Sequence, residues 1–400
     1  MSYFASVEMA PGDPILGLTE TYLADVRPNK INLGVGIYVD EQGHIPLLRS
    51  VHEVEQAMAA SAQPRGYLPI DGLPAYVQLT RQLLFGADSP LLEAGRVATA
   101  QTIGGSAALR VAADLLRQVA GHGARIAISN PSWGNHHVVF RTAGFALLEY
   151  RYYDPASHGL DFAGMLEDLG RLEPGTVVLL HACCHNPTGV DLTAAQWQQT
   201  IDLLKERHLL PFIDMAYQGF DQGIAADATA VRLLAASGIE AFVVANSYSK
   251  SFSLYGERVG ALSMVGADRD EAARLLSKIK QTIRANYSSP AAHGASLVAG
   301  VLGSSELRGR WEQELGGMRS RIHAMRAGLV ERLKVHGAPD FGFIQGQAGM
   351  FSYSGLSKAQ VLRLREEHAI YALDSGRICV AALNRANLDT VAAAVAAVAR

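Results

Sequence analysis

Short apolar runs at 97–102, 125–129, 145–150, 176–182, 210–214, 241–246 and 260–265 recur through the middle of this chain. Helical patterns lie between several of them, at 105–119, 161–170, 193–207 and 227–237. Alternate side chains of a strand point to opposite faces of its sheet, so a strand that is apolar along its whole length must be covered on both sides. Helices between the runs supply that cover, and the pattern predicts an α/β body with a mostly parallel sheet. From 268 to 336 the spacing of Arg, Glu and Leu turns helical. The tail then reads strand, helix, strand, strand, helix, ending in Val391 to Val398, which predicts a second, smaller α+β unit.

At the start, Asp13 before Pro14 offers an N-cap with proline at the first helical position, predicting a helix to about Ala24. Ile31 to Tyr38 reads as strand, and its Gly34 and Gly36 leave room for a ligand to approach the backbone. A turn at 40–43 separates this segment from the α/β body, which suggests that it belongs with the C-terminal unit. The chain has 400 residues, 49% of them hydrophobic and 18% charged, with a net charge of -3. That is globular composition, long enough for about two or three domains, and it lacks the basic face of a nucleic-acid binder. No apolar run reaches the ~18 residues that span a bilayer, and the first residues lack the basic-then-apolar order of a signal peptide. Cys183, Cys184 and Cys379 are too few for a disulfide framework, which fits a reducing cytoplasm.

In an open α/β sheet, ligands bind beyond the carboxyl ends of the strands. Leu180 leads there by way of His181 to Asn186, Ile213 leads to Asp214, and the run at 241–246 leads to Ser247 and Lys250. A lysine that can form an imine, a carboxylate that can pair with a protonated pyridine nitrogen, and an asparagine together suggest pyridoxal 5'-phosphate. Taken singly, Asp214 is as readily a helix N-cap and Lys250 a surface lysine. To attack an aldehyde near neutral pH the lysine must have its proton affinity lowered by desolvation or neighbouring cations. Gly104-Gly105-Ser106 joins a strand to a good helix former, and free N–H groups at a helix start can cradle a phosphate. Glycine pairs at such turns are mostly structural, so this reading draws its weight from the other residues.

Arg258 is a plausible phosphate partner, and Tyr217 is placed to reach the ring's phenolic oxygen. Arg377 and Arg284 suit bidentate carboxylate recognition, although an arginine taken alone is more often in a structural ion pair. His181-Ala-Cys-Cys-His185 would put residues 181, 183 and 185 on one face of a strand, but this spacing does not match zinc patterns. These residues read as core and cofactor-flanking positions. Ser247-x-x-Lys250 matches the Ser-x-x-Lys pattern of penicillin-binding enzymes, yet no Lys-Thr-Gly occurs and the serine follows a strand.

His-Asn-Pro-Thr-Gly (185–189), Asp-x-Ala-Tyr-Gln-Gly-Phe (214–220), Ser-Tyr-Ser-Lys (247–250) and Gly-Glu-Arg-Val-Gly (256–260) resemble the class I aspartate/aromatic aminotransferases of fold type I. The likeness runs from Gly12-Asp-Pro-Ile-Leu-Gly to Ser375-Gly-Arg, nearly the whole chain. It implies an N-terminal arm (1–12), a small domain (13–46 and 315–400) and a large cofactor-binding domain (47–314) built on a seven-stranded, mostly parallel sheet. Lys250 would carry the cofactor covalently and shuttle the proton between substrate and cofactor carbons. Asp214 would pair with the pyridine nitrogen, Asn186 and Tyr217 with the ring oxygen, and Trp133 would stack on the ring, supported by His136 and His181. Gly105, Ser106, Ser247, Ser249 and Arg258 would take the phosphate, with Tyr67 reaching over from a partner subunit. Arg377 would clamp the substrate α-carboxylate, helped by Asn186 and the backbone of Gly36, and the partner subunit's Arg284 would receive a distal carboxylate.

The resemblance therefore implies a cytoplasmic homodimer with shared active sites. It would act by ping-pong transamination through pyridoxamine phosphate, with amino acids and 2-oxo acids as its small-molecule partners and no nucleic acid or membrane. Ala107 departs from the family pattern, where a glycine is usual. Ser106, Ile45 and Ser289 look like the aromatic branch, so the expectation is an enzyme for tyrosine and phenylalanine that also accepts aspartate. The rivals are a strict aspartate aminotransferase and a transcription regulator with an aminotransferase-like domain, which would need a basic winged-helix segment ahead of the fold.

Overall fold

The computed structural model describes residues 2–9, 16–62, 64 and 66–400. The expected cap at Asp13 and Pro14 lies outside these residues, and a helix occupies Leu16–Ala24. Each of the apolar runs becomes a strand: β1 (Val97–Ile103), β2 (Arg125–Asn130), β3 (Ala146–Arg151), β4 (Val177–His181), β5 (Leu210–Met215), β6 (Phe242–Ser247) and β7 (Val259–Val265). They form one seven-stranded sheet in the order β1-β7-β6-β5-β4-β2-β3. β7 runs antiparallel to both β1 and β6, and the remaining pairs are parallel.

Every residue of β4, β6 and β7 is buried, which is why those runs show no polar alternation. One face packs Val177, Leu179, Phe212 and Val243 against Leu109, Ala112 and Leu116 of the helix Gly105–Ala120. The other packs Val178, Leu180, Ile213 and Val244 against Trp197, Ile201 and Leu204 of the helix Ala194–Glu206. Fully burying such a side chain stabilises the fold by about 1.5–3 kcal/mol.

The segment 31–38 departs from expectation. Only Ile31–Asn32 is strand, and it pairs in parallel with Ile370–Tyr371 of the C-terminal unit. Beyond it the chain crowds its neighbours. A Cβ on Gly34 would lie 2.4 Å from Leu18 Cδ2, and one on Gly36 would lie 2.8 Å from Phe351 Cζ. The backbone is drawn across the mouth of a cleft rather than along a sheet. The tail follows the expected order: Phe351–Tyr353 pairs antiparallel with Arg377–Cys379, and the helices Lys358–His368 and Leu388–Ala399 flank them. The helix Ser305–Val335 runs unbroken through position 315. Among the described residues no helix is long and apolar enough to cross a membrane.

Candidate active site

The carboxyl ends of β4, β5 and β6 and the start of the helix Gly105–Ala120 meet at one cleft of ≈ 420 Å³. β7 runs the other way, so Arg258, just before its first residue, lies at the same end. Asn186, Asp214, Lys250 and Arg258 all line this cleft, as do Trp133 and Tyr217.

Asp214 ends β5 and is 8% exposed. His136 Nε2 lies 2.8 Å from its Oδ2, and a carboxylate can only accept, so this nitrogen carries a proton. At the other end of the network, the Asn186 backbone N–H donates to His181 Nδ1 at 3.4 Å. His181 Nε2 is therefore the protonated nitrogen of a neutral ring, and it donates to Ser132 Oγ at 3.3 Å. The Ser132 hydroxyl can then donate onward to His136 Nδ1 at 3.0 Å. The chain runs one way, from Asn186 to Asp214. Burial, reinforced by the electrostatic influence of the neighbouring His136 ring, pushes the His181 pKa down to about 3, against the pull of Asp214. Burial pushes the Asp214 pKa up. The hydrogen bond from His136 and its electrostatic influence, with lesser pulls from His181 and Lys250, outweigh it and hold the carboxyl below its usual range. Asp214 is thus a buried anion facing the cleft.

Lys250 follows β6 in a turn, with its Nζ 5.0 Å from the centroid of the Tyr217 ring. Burial lowers its pKa to about 8; the charge of Asp214 opposes this, while Arg258 and Arg377 reinforce it. A lysine so placed has a substantial neutral, nucleophilic fraction near neutral pH. Burial also raises the Tyr217 phenol above its usual pKa, against the pull of Arg377.

The helix Gly105–Ala120 begins after Gly104, which has φ +86 and gives no side-chain cap, so its first N–H groups face the cleft without one. Here glycine is required. A Cβ on Gly104 would lie 2.6 Å from Arg258 Nη2, and one on Gly260 would lie 2.6 Å from the Gly104 carbonyl carbon. Arg258 Nη1 donates to Ser249 Oγ at 3.2 Å and to the Tyr255 carbonyl at 3.0 Å, neither of them charged. Ser247 Oγ accepts from the Ser249 N–H at 3.2 Å, and Ser106 lines the same wall. Helix N–H groups, hydroxyls and a guanidinium without an anionic partner suit a phosphate. The Trp133 ring stands edge-on to His136 at 5.1 Å. A group with a phosphate, a basic ring nitrogen and an aldehyde fits the donors, the Asp214 anion and the Lys250 amine of this cleft.

Arg377 is 2% exposed. It donates to Asn186 Oδ1 at 3.0 Å and to the Gly34 carbonyl at 2.6 Å, while its Nε is buried without a partner. A buried guanidinium held only by neutral acceptors is poised to take an anion. Gly36 lines the cleft beside it. Tyr67 is 99% exposed, and Arg284, also exposed, donates to Ser288 Oγ at the end of its own helix; neither lines the cleft of this chain.

The expected alternation of 181, 183 and 185 on one face does not occur, because β4 ends at His181 and Cys184 turns the backbone at φ +53. His185 stacks on Tyr152 at 4.0 Å and bonds Ser129 and Thr188, a structural role. Sequence reasoning gave Ser132 and Tyr255 no role. Tyr255 lines the cleft and its hydroxyl accepts from the Tyr38 N–H at 2.9 Å, tying the segment after Gly36 to the turn before Arg258. Only its place between Lys250 and Arg258 could have flagged it.

The family model for aminotransferase class I and II matches residues 28–395. An aspartate aminotransferase of Pseudomonas aeruginosa is 58% identical over 396 residues, covering 99% of both chains. An aromatic-amino-acid aminotransferase of Escherichia coli is 49% identical over 400 residues, covering 99% of this chain and 100% of its own. Among solved structures, an aromatic-amino-acid aminotransferase from Burkholderia pseudomallei, covalently bound to pyridoxal phosphate, superposes with TM-score 0.97 at 59% identity over the whole of both chains.

Proposed function

This chain belongs to the class I and II aminotransferases, with the architecture of fold type I, and on that premise we propose that it transfers amino groups between aromatic or acidic amino acids and 2-oxoglutarate, using pyridoxal 5'-phosphate. The observation that carries the reading is the meeting of an amine, Lys250, and a buried carboxylate, Asp214, in one cleft. Lys250 is held partly neutral while Asp214 is held anionic. When bound, the cofactor supplies an electron sink for the electron pair left as the substrate Cα–H bond breaks. Asp214 keeps the proton on the ring nitrogen, Asn186 and Tyr217 hold the ring oxygen, and Trp133 covers the ring face. Gly105, Ser106, Ser247, Ser249 and Arg258 anchor the phosphate. Lys250 would provide the covalent attachment and would take and return the Cα proton.

Arg377 holds the substrate α-carboxylate, with Asn186 and the backbone at Gly36 beside it. In a homodimer, Tyr67 and Arg284 of one copy complete the site of the other, which accounts for their distance from the cleft of their own chain. The small domain is read as 13–46 with 315–400, and the large domain as 47–314. Three free, buried cysteines support a cytoplasmic setting. Ser106, Ile45 and Ser289 favour an enzyme that takes tyrosine and phenylalanine as well as aspartate.

Borohydride reduction of the holoenzyme followed by peptide mapping tests the centre of the reading. The label is expected on Lys250 alone, and a label elsewhere overturns the assignment. Half-reaction rates on phenylalanine and aspartate test the range. Turnover of aspartate alone would make this a strict aspartate aminotransferase.

A further inference from the structure

Arg326, on the helix Ser305–Val335, is 2% exposed. Its guanidinium donates to the backbone carbonyls of Gly349 and Phe351, the latter at 3.2 Å, and to Ser352 Oγ at 3.4 Å. None of these acceptors is charged, and burial draws the Arg326 pKa down to about 10 against weak pulls from Cys184 and Asp221. Burying a guanidinium to satisfy neutral acceptors is costly, so the segment it fixes is informative. That segment carries Phe351, whose ring lies under Arg377, with the guanidinium carbon 4.0 Å from the ring centroid. The ring is itself confined. Gly36 leaves no room for a Cβ against its edge, and Tyr217 stands at 5.8 Å and 83° to it.

Arg377 thus has two hydrogen bonds to neutral oxygens, one π face and an unpartnered Nε. A carboxylate in place of the ring would hold it as firmly but would compete with an incoming anion. A ring face orients the cation and leaves its charge available.

We propose that Phe351 and Arg326 are positioning residues for carboxylate recognition: the Phe351 ring sets the plane of Arg377, and Arg326 sets the backbone that carries the ring. The proposal rests on the reading of Arg377 as the seat of the substrate α-carboxylate. It also links the long helix, through Arg326, to the affinity of the site.

The test measures the affinity of the holoenzyme for 3-phenylpropionate, a carboxylate with no amino group, by calorimetry. Phe351→Leu keeps the apolar bulk and removes the π face. Its Kd is expected to rise roughly three- to thirtyfold, the range a cation–π contact supports between exposed and desolvated settings. KM for phenylalanine should rise by a similar factor with kcat changed less. Arg326→Met should weaken binding in the same way, with Arg326→Lys recovering part of the loss. The double variant with Phe351→Leu should bind within about twofold of the weaker single, because both act through one ring.

Arg377→Lys is the reference. If it binds poorly while folded Phe351→Leu binds within about twofold of the parent, the proposal is overturned and the reading of Arg377 stands. If Arg377→Lys binds normally, that reading falls and the proposal falls with it. Additive losses in the double variant would remove Arg326 from the scheme. Should Arg326→Met fail to fold, Phe351→Leu and Arg326→Lys decide.

Discussion

His136 donates a hydrogen bond from Nε2 to Asp214 at 2.8 Å, with Ser132 against its Nδ1 and His181 behind Ser132. Removing that donor leaves burial to act on Asp214 unopposed. In His136→Leu the carboxyl should rise above its present, depressed pKa. A depressed carboxyl contributes stability that is present above its unfolded pKa, 3.8, and is lost as pH falls through the folded value. The variant forfeits this contribution, so its acid-unfolding midpoint should move to higher pH, as followed by circular dichroism. Loss of one charge-assisted bond should also weaken cofactor binding by roughly tenfold to a hundredfold, from about 1.5–3 kcal/mol. An unshifted acid midpoint would show that His136 does not set the charge of Asp214.

Folding favours the charged form at Asp214 but the neutral form at Lys250. Its folded pKa, about 8, lies below its unfolded value, 10.5, so the folded protein binds fewer protons between those limits. Stability therefore rises with pH through that window, and the strain of the buried ammonium is largest below pH 8. With cofactor removed, Lys250→Met should have a higher Tm than the parent at pH 7. The difference should shrink as pH approaches 10.5. Calorimetry of the two apoproteins across that range decides it, and equal Tm at pH 7 would mean that the lysine is well solvated.

The proposed phosphate cradle depends on backbone contact. A Cβ on Gly260 would meet the Gly104 carbonyl carbon at 2.6 Å, the Asn246 carbonyl oxygen at 2.7 Å and the Gly105 nitrogen at 2.8 Å, none of which can rotate away. Gly260→Ala must push β7 from the helix start, at about 1–3 kcal/mol. It should lower Tm and weaken binding of inorganic phosphate to the apoprotein. At Gly256 a Cβ would meet nothing within 4 Å, so Gly256→Ala should match the parent in both measurements.

Arg284 and Arg377 should have unequal duties. Every amino acid substrate presents an α-carboxylate, so Arg377→Ala should impair all of them, by at least tenfold for a loss of about 2–5 kcal/mol. Only aspartate and glutamate present a second carboxylate. Arg284→Leu should cut kcat/KM for aspartate by orders of magnitude and leave phenylalanine within about tenfold. Equal losses on both would give Arg284 a structural role instead. Mixed dimers of the two inactive variants should regain aspartate turnover, since one of their two sites holds both arginines. Heterodimers that recover nothing would end the shared-site reading.

Periodicity and strand ends are local properties, and what they fix could be read directly. β4, β6 and β7 are buried along their whole length because both faces of the sheet are covered there, and each of the runs between Val97 and Val265 became a strand. Asn186, Asp214 and Lys250 were legible because a parallel sheet brings its carboxyl ends to one side. Only tertiary packing decided the rest. Ile31 to Tyr38 has strand-like residues, yet crowding by Leu18 and Phe351 and the pull of Arg377 on the Gly34 carbonyl end the strand at Asn32. The one-way chain through Ser132 depends on two hydrogen bonds between segments far apart in sequence, Ser132 to His181 and His136 to Asp214, which no residue spacing encodes. Phe351 under Arg377, held in turn by Arg326, has no signature in the chain at all: three ordinary residues gain their relation from burial, which fixes geometry only once the whole fold has closed.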